Sequence, residues 1–189
     1  MAQPAGVQTQ GGEAVTTQRD LDRAAKRLAE LLEATRTPIV FAESCTGGLV
    51  SATLTRIPGV SAWLCGSAVV YQLETKHGWL GIPRELLDDP GPVSRDVAAA
   101  MAAGVLDRTP QADVAVSVTG HLGPDAPPAQ DGLVFVAVAF REGSGSTRLS
   151  VNRHTLPAPD GGTGTQIRRH RQQQATLLVL ETAAESVRG

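Results

Sequence analysis

Lysine, aromatic residues, cysteine and long apolar runs are all scarce in this 189-residue chain, and each scarcity removes a class of function. One Tyr, two Trp and three Phe are too few for the stacking platforms that grip single-stranded nucleic acid. Two cysteines, Cys45 and Cys65, cannot build a disulfide scaffold or a CxxC centre and are read as reduced thiols. No apolar run approaches the ~20 residues of a membrane helix. The opening MAQPAGVQTQGGEAVTTQ lacks the basic start and apolar stretch of a signal peptide, so a cytoplasmic location is expected, with no membrane partner. Seventeen basic residues against nineteen acidic ones leave a net charge of −2, which excludes the concentrated positive field that DNA or RNA binding requires.

What is present is enough for one large domain. A chain of this length buries ~70% of its unfolded surface and needs no disulfide or structural metal to fold. Residues 1–17 show no periodicity and are expected to form a disordered tail, with the domain spanning 18–189. From Leu21 to Leu32 apolar residues recur at helical spacing, with Thr17 or Asp20 as N-cap, and Pro38 ends the element. Ile39–Ala42 is a continuous apolar run of the kind shown by a buried parallel strand. Further on, Leu49 to Ile57 reads as helix, Gly66 to Tyr71 as strand, Glu74 to Leu80 as a short helix, and Ser94 caps an Ala-rich helix reaching Leu106. Val114–Val118 is the next strand. Leu133–Phe140 and Arg148–Thr155 flank the turn sequence Gly143-Ser144-Gly145-Ser146 as antiparallel neighbours, and a last helix covers roughly Gln166 to Ser186. The order predicts one α/β domain of three layers, a mixed sheet with helices on both faces.

The sharpest local feature is the strand that breaks at Glu43 and opens a helix through Ser44-Cys45-Thr46-Gly47-Gly48. Free amides and the dipole at such a helix start favour an anion, either a bound phosphate or the oxyanion formed when a nucleophile attacks a carbonyl. Ser44 and Cys45 are possible nucleophiles at the strand's carboxyl end, where open α/β sheets bind ligands. The plainer reading makes Ser44 an N-cap and the glycines a packing convenience. The sequence is neither a P-loop nor a GxSxG elbow.

A serine needs a base, and two candidates stand open. His121 follows the third strand, in a loop that reaches the same edge, with Asp125 behind it. Lys76 is the other, and it serves only if burial lowers its pKa so that it is neutral. Composition favours attention to it, since fifteen of seventeen basic residues are Arg, which cannot deprotonate. Tyr71, five residues earlier, could hydrogen-bond the amine or relay its proton. The bland alternatives are a surface lysine and a core tyrosine. No two histidines have the helical spacing of metal ligands, so no metal or other cofactor is expected.

In their order, Glu43-Ser44-Cys45-Thr46-Gly47-Gly48, Pro58-Gly59-Val60-Ser61-Ala62-Trp63, Tyr71 to Lys76, Gly81-Ile82-Pro83, Gly91-Pro92-Val93-Ser94, Ser117-Val118-Thr119-Gly120 and Gly123-Pro124 resemble the C-terminal domain of the CinA family, the nicotinamide-nucleotide amidohydrolases. The resemblance covers about residues 21 to 186. It implies deamidation of nicotinamide mononucleotide to nicotinate mononucleotide and ammonia, in pyridine nucleotide salvage, by a metal-free Ser/Lys mechanism. Carried over by position, Ser44 is the nucleophile, Lys76 its base and Tyr71 an assistant. Cys45, Thr46, Gly47 and Gly48 then contact substrate, with backbone donors for the oxyanion from the Thr46-Gly47 region, and Thr119 and Gly120 line the pocket. A homodimer or larger homo-oligomer is implied as well.

The chain also departs from the family pattern. Many relatives carry an N-terminal molybdopterin-binding-like domain that has no counterpart here, so a stand-alone form is expected. After Thr119-Gly120 the family shows Gly-Ile-Ala-Gly-Pro, a Gly-Gly and a Lys-Pro-Val-Gly, where this chain has His121, Leu122, Asp125 and Gln130-Asp131-Gly132. Gln72-Leu73 replaces a common Ser-Asn. The altered loop opens an alternative function, a nucleotide-binding protein that no longer turns the family substrate over. Arg168, Arg169 and Arg171 on the last helix are read as a solvated face in preference to a phosphate contact.

Overall fold

A computed structural model of the chain describes residues 16–143, 146–159 and 161–188. The expected tail falls on residues 1–15, outside the described residues, apart from Thr16 and Thr17. Helix α1 (Gln18–Thr35) starts from a capping box, in which the Thr17 hydroxyl accepts the Asp20 amide while the Asp20 carboxylate accepts the Thr17 amide. Its apolar stripe, Leu21 to Leu32, is the buried face.

Strand β1 (Ile39–Glu43) is buried at every position. Helix α2 (Leu49–Leu54) follows, then strand β2 (Leu64–Val69), helices α3 (Leu73–Leu80), α4 (Arg84–Asp88) and α5 (Arg95–Asp107), and strand β3 (Val114–Gly120). Strands β4 (Leu133–Arg141) and β5 (Thr147–Thr155) and helix α6 (Gly164–Arg188) complete the order. The sheet runs β2-β1-β3-β4-β5. β1 is parallel to β2 and β3, while β4 pairs antiparallel with β3 and with β5, so the sheet is mixed as expected.

Period-2 alternation splits the core into two layers. Ile39, Phe41, Val116 and Val136 face α1, α2 and α6. Val40, Ala42, Ala115 and Ala137 face α3, α4 and α5, where small side chains let the Ala-rich α5 approach closely enough for Ser117 Oγ to donate to the Ala98 carbonyl at 2.6 Å. The three-layer expectation therefore holds.

Several boundaries move. α2 stops at Leu54 because the chain tightens there, Arg56 and Ile57 donating to the carbonyls three residues back. β2 begins at Leu64 and ends at Val69, since the carbonyls of Val70 and Tyr71 turn toward Lys76. The five-residue α4 carries too little periodicity to be seen in sequence. Of the expected hairpin turn, residues 144 and 145 lie outside the described residues.

Candidate active site

The chain leaves β1 for β2 on one side and places β3 on the other, so the carboxyl ends of β1 and β3 form a topological switch point, where α/β sheets open a crevice. Glu43 stands beside Val118 in the β1–β3 register, and the Ser44 amide donates to the Val118 carbonyl at 3.1 Å, one step past the strand end. The backbone then turns sharply. Gly47 and Gly48 take φ of +63° and +96°, values that favour glycine, and the Gly47 amide closes the turn onto the Ser44 carbonyl at 3.0 Å.

Glu43 organises this turn from beneath. Its fully buried carboxylate accepts from Thr46 Oγ1 at 2.8 Å, the Val50 and Ser51 amides at 3.0 Å each, Ser51 Oγ at 2.8 Å and Ser67 Oγ at 3.0 Å. The first amides of α2 thus already have an anion, and it is Glu43. At Val50 and Ser51, then, the expected place for an outside anion is taken by a side chain of this chain. The amides of Cys45 and Thr46 remain, since among the described residues no carbonyl or side-chain oxygen accepts them.

Lys76, 1% exposed, projects from α3 to the same point. Its Nζ lies 2.8 Å from Ser44 Oγ, and it donates to the carbonyls of Val70 at 2.7 Å and Tyr71 at 3.2 Å. Burial pulls the amine down from the ordinary 10.5 to about 8. A neutral amine has two N–H donors and one lone pair. Two carbonyls claim the donors, which leaves the lone pair for the Ser44 hydroxyl proton. Ser44, 7% exposed, is therefore placed to be deprotonated where it stands.

Ser44 and Lys76 open on a cleft of about 710 Å³, within the ~300–1,000 Å³ typical of small-molecule sites. Cys45, Thr119 and Gly120 line it. Burial pushes the Cys45 thiol up to about 12, so it is no competing nucleophile. Thr119 Oγ1 donates to the Pro92 carbonyl at 2.7 Å and fixes that wall. Thr46, Gly47 and Gly48 do not line the cleft. The Thr46 side chain turns inward to Glu43, its carbonyl accepts from Gln172 Nε2 at 2.8 Å, and the two glycines shape the turn behind the nucleophile.

Tyr71 is half exposed, and its contact with Lys76 runs through its carbonyl, not its phenol. The phenol oxygen instead accepts from Arg168 Nη2. Arg168 lines the cleft and also donates to the Gly123 carbonyl at 3.1 Å. Arg171 is 3% exposed and forms a bidentate pair with Asp131. The solvated-face reading thus fails for the buried Arg171, while Arg168 and Arg169 are exposed. His121 and Asp125 also reach the cleft wall, but the Ser44 hydroxyl is bonded to Lys76. Among the described residues no group of three His, Cys, Asp or Glu could hold a metal ion. Sequence reasoning missed Glu43 and Gln172 as supports of the turn. A carboxylate ending an otherwise apolar strand was the available signal for Glu43; Gln172 had none.

Known proteins share the sequence pattern and the fold. A CinA-like protein from Geobacter metallireducens is 42% identical over 118 residues, and one from Leptospira borgpetersenii is 38% identical over 136. These matches cover 61% and 71% of this chain but only 28% and 31% of those relatives, so the chain spans about 30% of their length. The crystal structure of a competence/damage-inducible protein from Agrobacterium tumefaciens superposes with a TM-score of 0.75 at 31% identity, covering 90% of this chain and 96% of that one. A CinA superfamily protein from Klebsiella pneumoniae, 24% identical, shares the fold with a TM-score of 0.77 over 89% of this chain and 98% of its own. With the model of the CinA C-terminal domain matching residues 21–181, most of the 189 residues, the chain belongs to the CinA family through that domain.

Proposed function

We propose that the protein is a nicotinamide-nucleotide amidohydrolase that converts nicotinamide mononucleotide to nicotinate mononucleotide and ammonia by Ser/Lys catalysis. The observation that carries this reading is the 2.8 Å contact between Lys76 Nζ and Ser44 Oγ, with the other amine hydrogens held by two carbonyls. Neutral Lys76 takes the hydroxyl proton as Ser44 Oγ bonds to the carboxamide carbon. The amide of Cys45, which lines the cleft beside Ser44, is the donor we assign to the resulting oxyanion. The protonated amine then gives its proton to the departing nitrogen, the C–N bond breaks, and ammonia leaves an ester on Ser44. Water, deprotonated by the same amine, hydrolyses the ester and restores the serine. Arg168, cationic and at the cleft wall, suits the phosphate of a mononucleotide.

Ammonia release from nicotinamide mononucleotide, compared between the protein and Ser44→Ala, tests the reading. Turnover is expected to fall by about 10⁴-fold or more in the variant, as when a covalent nucleophile is removed. Undiminished activity would overturn the assignment. The changed wall at His121 and Asp125 favours a second reading, nucleotide binding without turnover, and tight binding of the mononucleotide with no ammonia released would support it. A homo-oligomer acting in the cytoplasm, on a small nucleotide and without cofactor, completes the proposal.

A further inference from the structure

One face of helix α6 touches three separate parts of the cleft. Arg168 bonds the Tyr71 phenol and the Gly123 carbonyl, Gln172 bonds the Thr46 carbonyl behind the nucleophile, and Arg171 lies between them. Arg168 shares a helix face with Arg171, three residues on, and with Gln172, four residues on. Arg171 makes the most contacts. Its Nη1 and Nη2 donate to the two Asp131 oxygens at 2.6 and 2.7 Å, and weaker bonds of 3.4 Å reach the carbonyls of Leu122 and Pro157. Asp131 and Leu122 bracket the loop whose Gly123, Asp125 and Ala126 form the cleft's outer wall. The backbone makes room for the pair. A Cβ on Gly123, at φ +67°, would stand 2.5 Å from Asp131 Oδ1 and 2.6 Å from Arg171 Nη1.

We infer that Arg171 is a positioning residue: with Asp131 it clamps both ends of the 122–131 loop to α6, holds the outer wall of the cleft in its binding shape, and so sets substrate affinity without touching the reacting atoms. A buried guanidinium with a bidentate carboxylate is a rigid, geometrically demanding tie, which a lysine point charge cannot reproduce. Beyond this clamp the loop is held by the buried Leu122 and by the Arg168 bond to the Gly123 carbonyl, both at its first residues. Residues 121–131 contain two prolines in succession, one short 3₁₀ turn at Pro128–Gln130 and no strand.

The affinity part rests on the amidohydrolase reading; the loop part does not, and the experiment separates them. Asp131→Asn keeps the side-chain shape and removes the charge, and Arg171→Lys keeps the charge and removes the fork. In both, amide hydrogen exchange at His121 and Gln130, whose amides bond the Leu133 and Pro127 carbonyls at the two ends of the loop, is expected to rise by about tenfold or more, with β3 and α5 unchanged. KM for nicotinamide mononucleotide should rise by about fivefold while kcat stays within about twofold. The rate at which a small fluorophosphonate labels Ser44 should not change, since the dyad is intact. Unchanged loop exchange in both variants overturns the clamp. Loss of kcat and of Ser44 labelling in step with KM also overturns it, because the damage would then be general. If the unaltered protein releases no ammonia, the functional reading fails and loop exchange alone decides the clamp.

Discussion

At the scale of single residues, the site depends on how one buried amine distributes its hydrogen bonds. Lys76 at about 8 is mostly protonated at neutral pH, with roughly one-tenth in the basic form at pH 7. If it is the base, kcat/KM for the mononucleotide rises about tenfold per pH unit up to about 8 and is flat above. Lys76→Arg should abolish turnover, because arginine stays protonated and cannot accept the Ser44 proton. His121→Ala should retain most activity, since no contact joins His121 to Ser44. A profile of the Lys76→Arg variant with activity near that of the unaltered protein would return the base role to His121. The rarity of lysine pointed to this residue, but its three acceptors were beyond reach of the sequence. Two are backbone carbonyls, and which way a carbonyl turns at a strand end is set by the fold around it.

At the scale of elements, the Ser44–Lys76 pair is held by packing between α3 and its neighbours. α3 carries Lys76, and its last turn lies against α5 at Gly104, where an added Cβ would run into the Leu80 carbonyl oxygen and come within 3.2 Å of the Leu80 Cβ. Gly104→Ala sets two effects against each other. Helix propensity gains about 1 kcal/mol, while overlap with backbone that cannot rotate away costs about 1–3 kcal/mol. Overlap wins. Urea unfolding should show a net loss of up to about 2 kcal/mol, and because α3 must shift, kcat should fall by about tenfold or more with little change in KM. Helix α6 plays the corresponding part for the opposite wall through Arg168, Arg171 and Gln172. Helical periodicity revealed that α6 exists. It did not reveal that Arg171 alone of the three is buried against a carboxylate, because three closely spaced cations look the same in sequence whether water or a carboxylate neutralises them.

For the whole molecule, burying ionisable groups at the nucleophile turn makes stability depend on pH in a way that can be signed. Lys76 falls from 10.5 to about 8 on folding, so between those values the unfolded chain holds a proton that the native one lacks, and stability rises with pH. Cys45 moves the other way, from 9.0 up to about 12. Above 9.0 the unfolded chain loses a proton that the native one keeps, and stability falls. The two opposed slopes overlap from 9.0 upward. Against a Lys76→Met variant, unfolding by urea should show the unaltered protein gaining roughly 3 kcal/mol across the lysine window, with the difference flat below about pH 7. No such gain would mean that the amine is not desolvated. What the sequence by itself determined is the order of elements, the two-faced mixed sheet, the family, and the identities of Ser44 and Lys76, because these rest on periodicity, turn chemistry and an ordered set of motifs. Only the tertiary structure decided that the two meet, that Glu43 already fills the helix start, that Tyr71 turns its phenol to Arg168, and that Arg171 is buried. Each of those depends on pairing residues far apart in the chain, up to 126 positions for Thr46 and Gln172, and spacing along a sequence carries no record of which distant groups share a cavity.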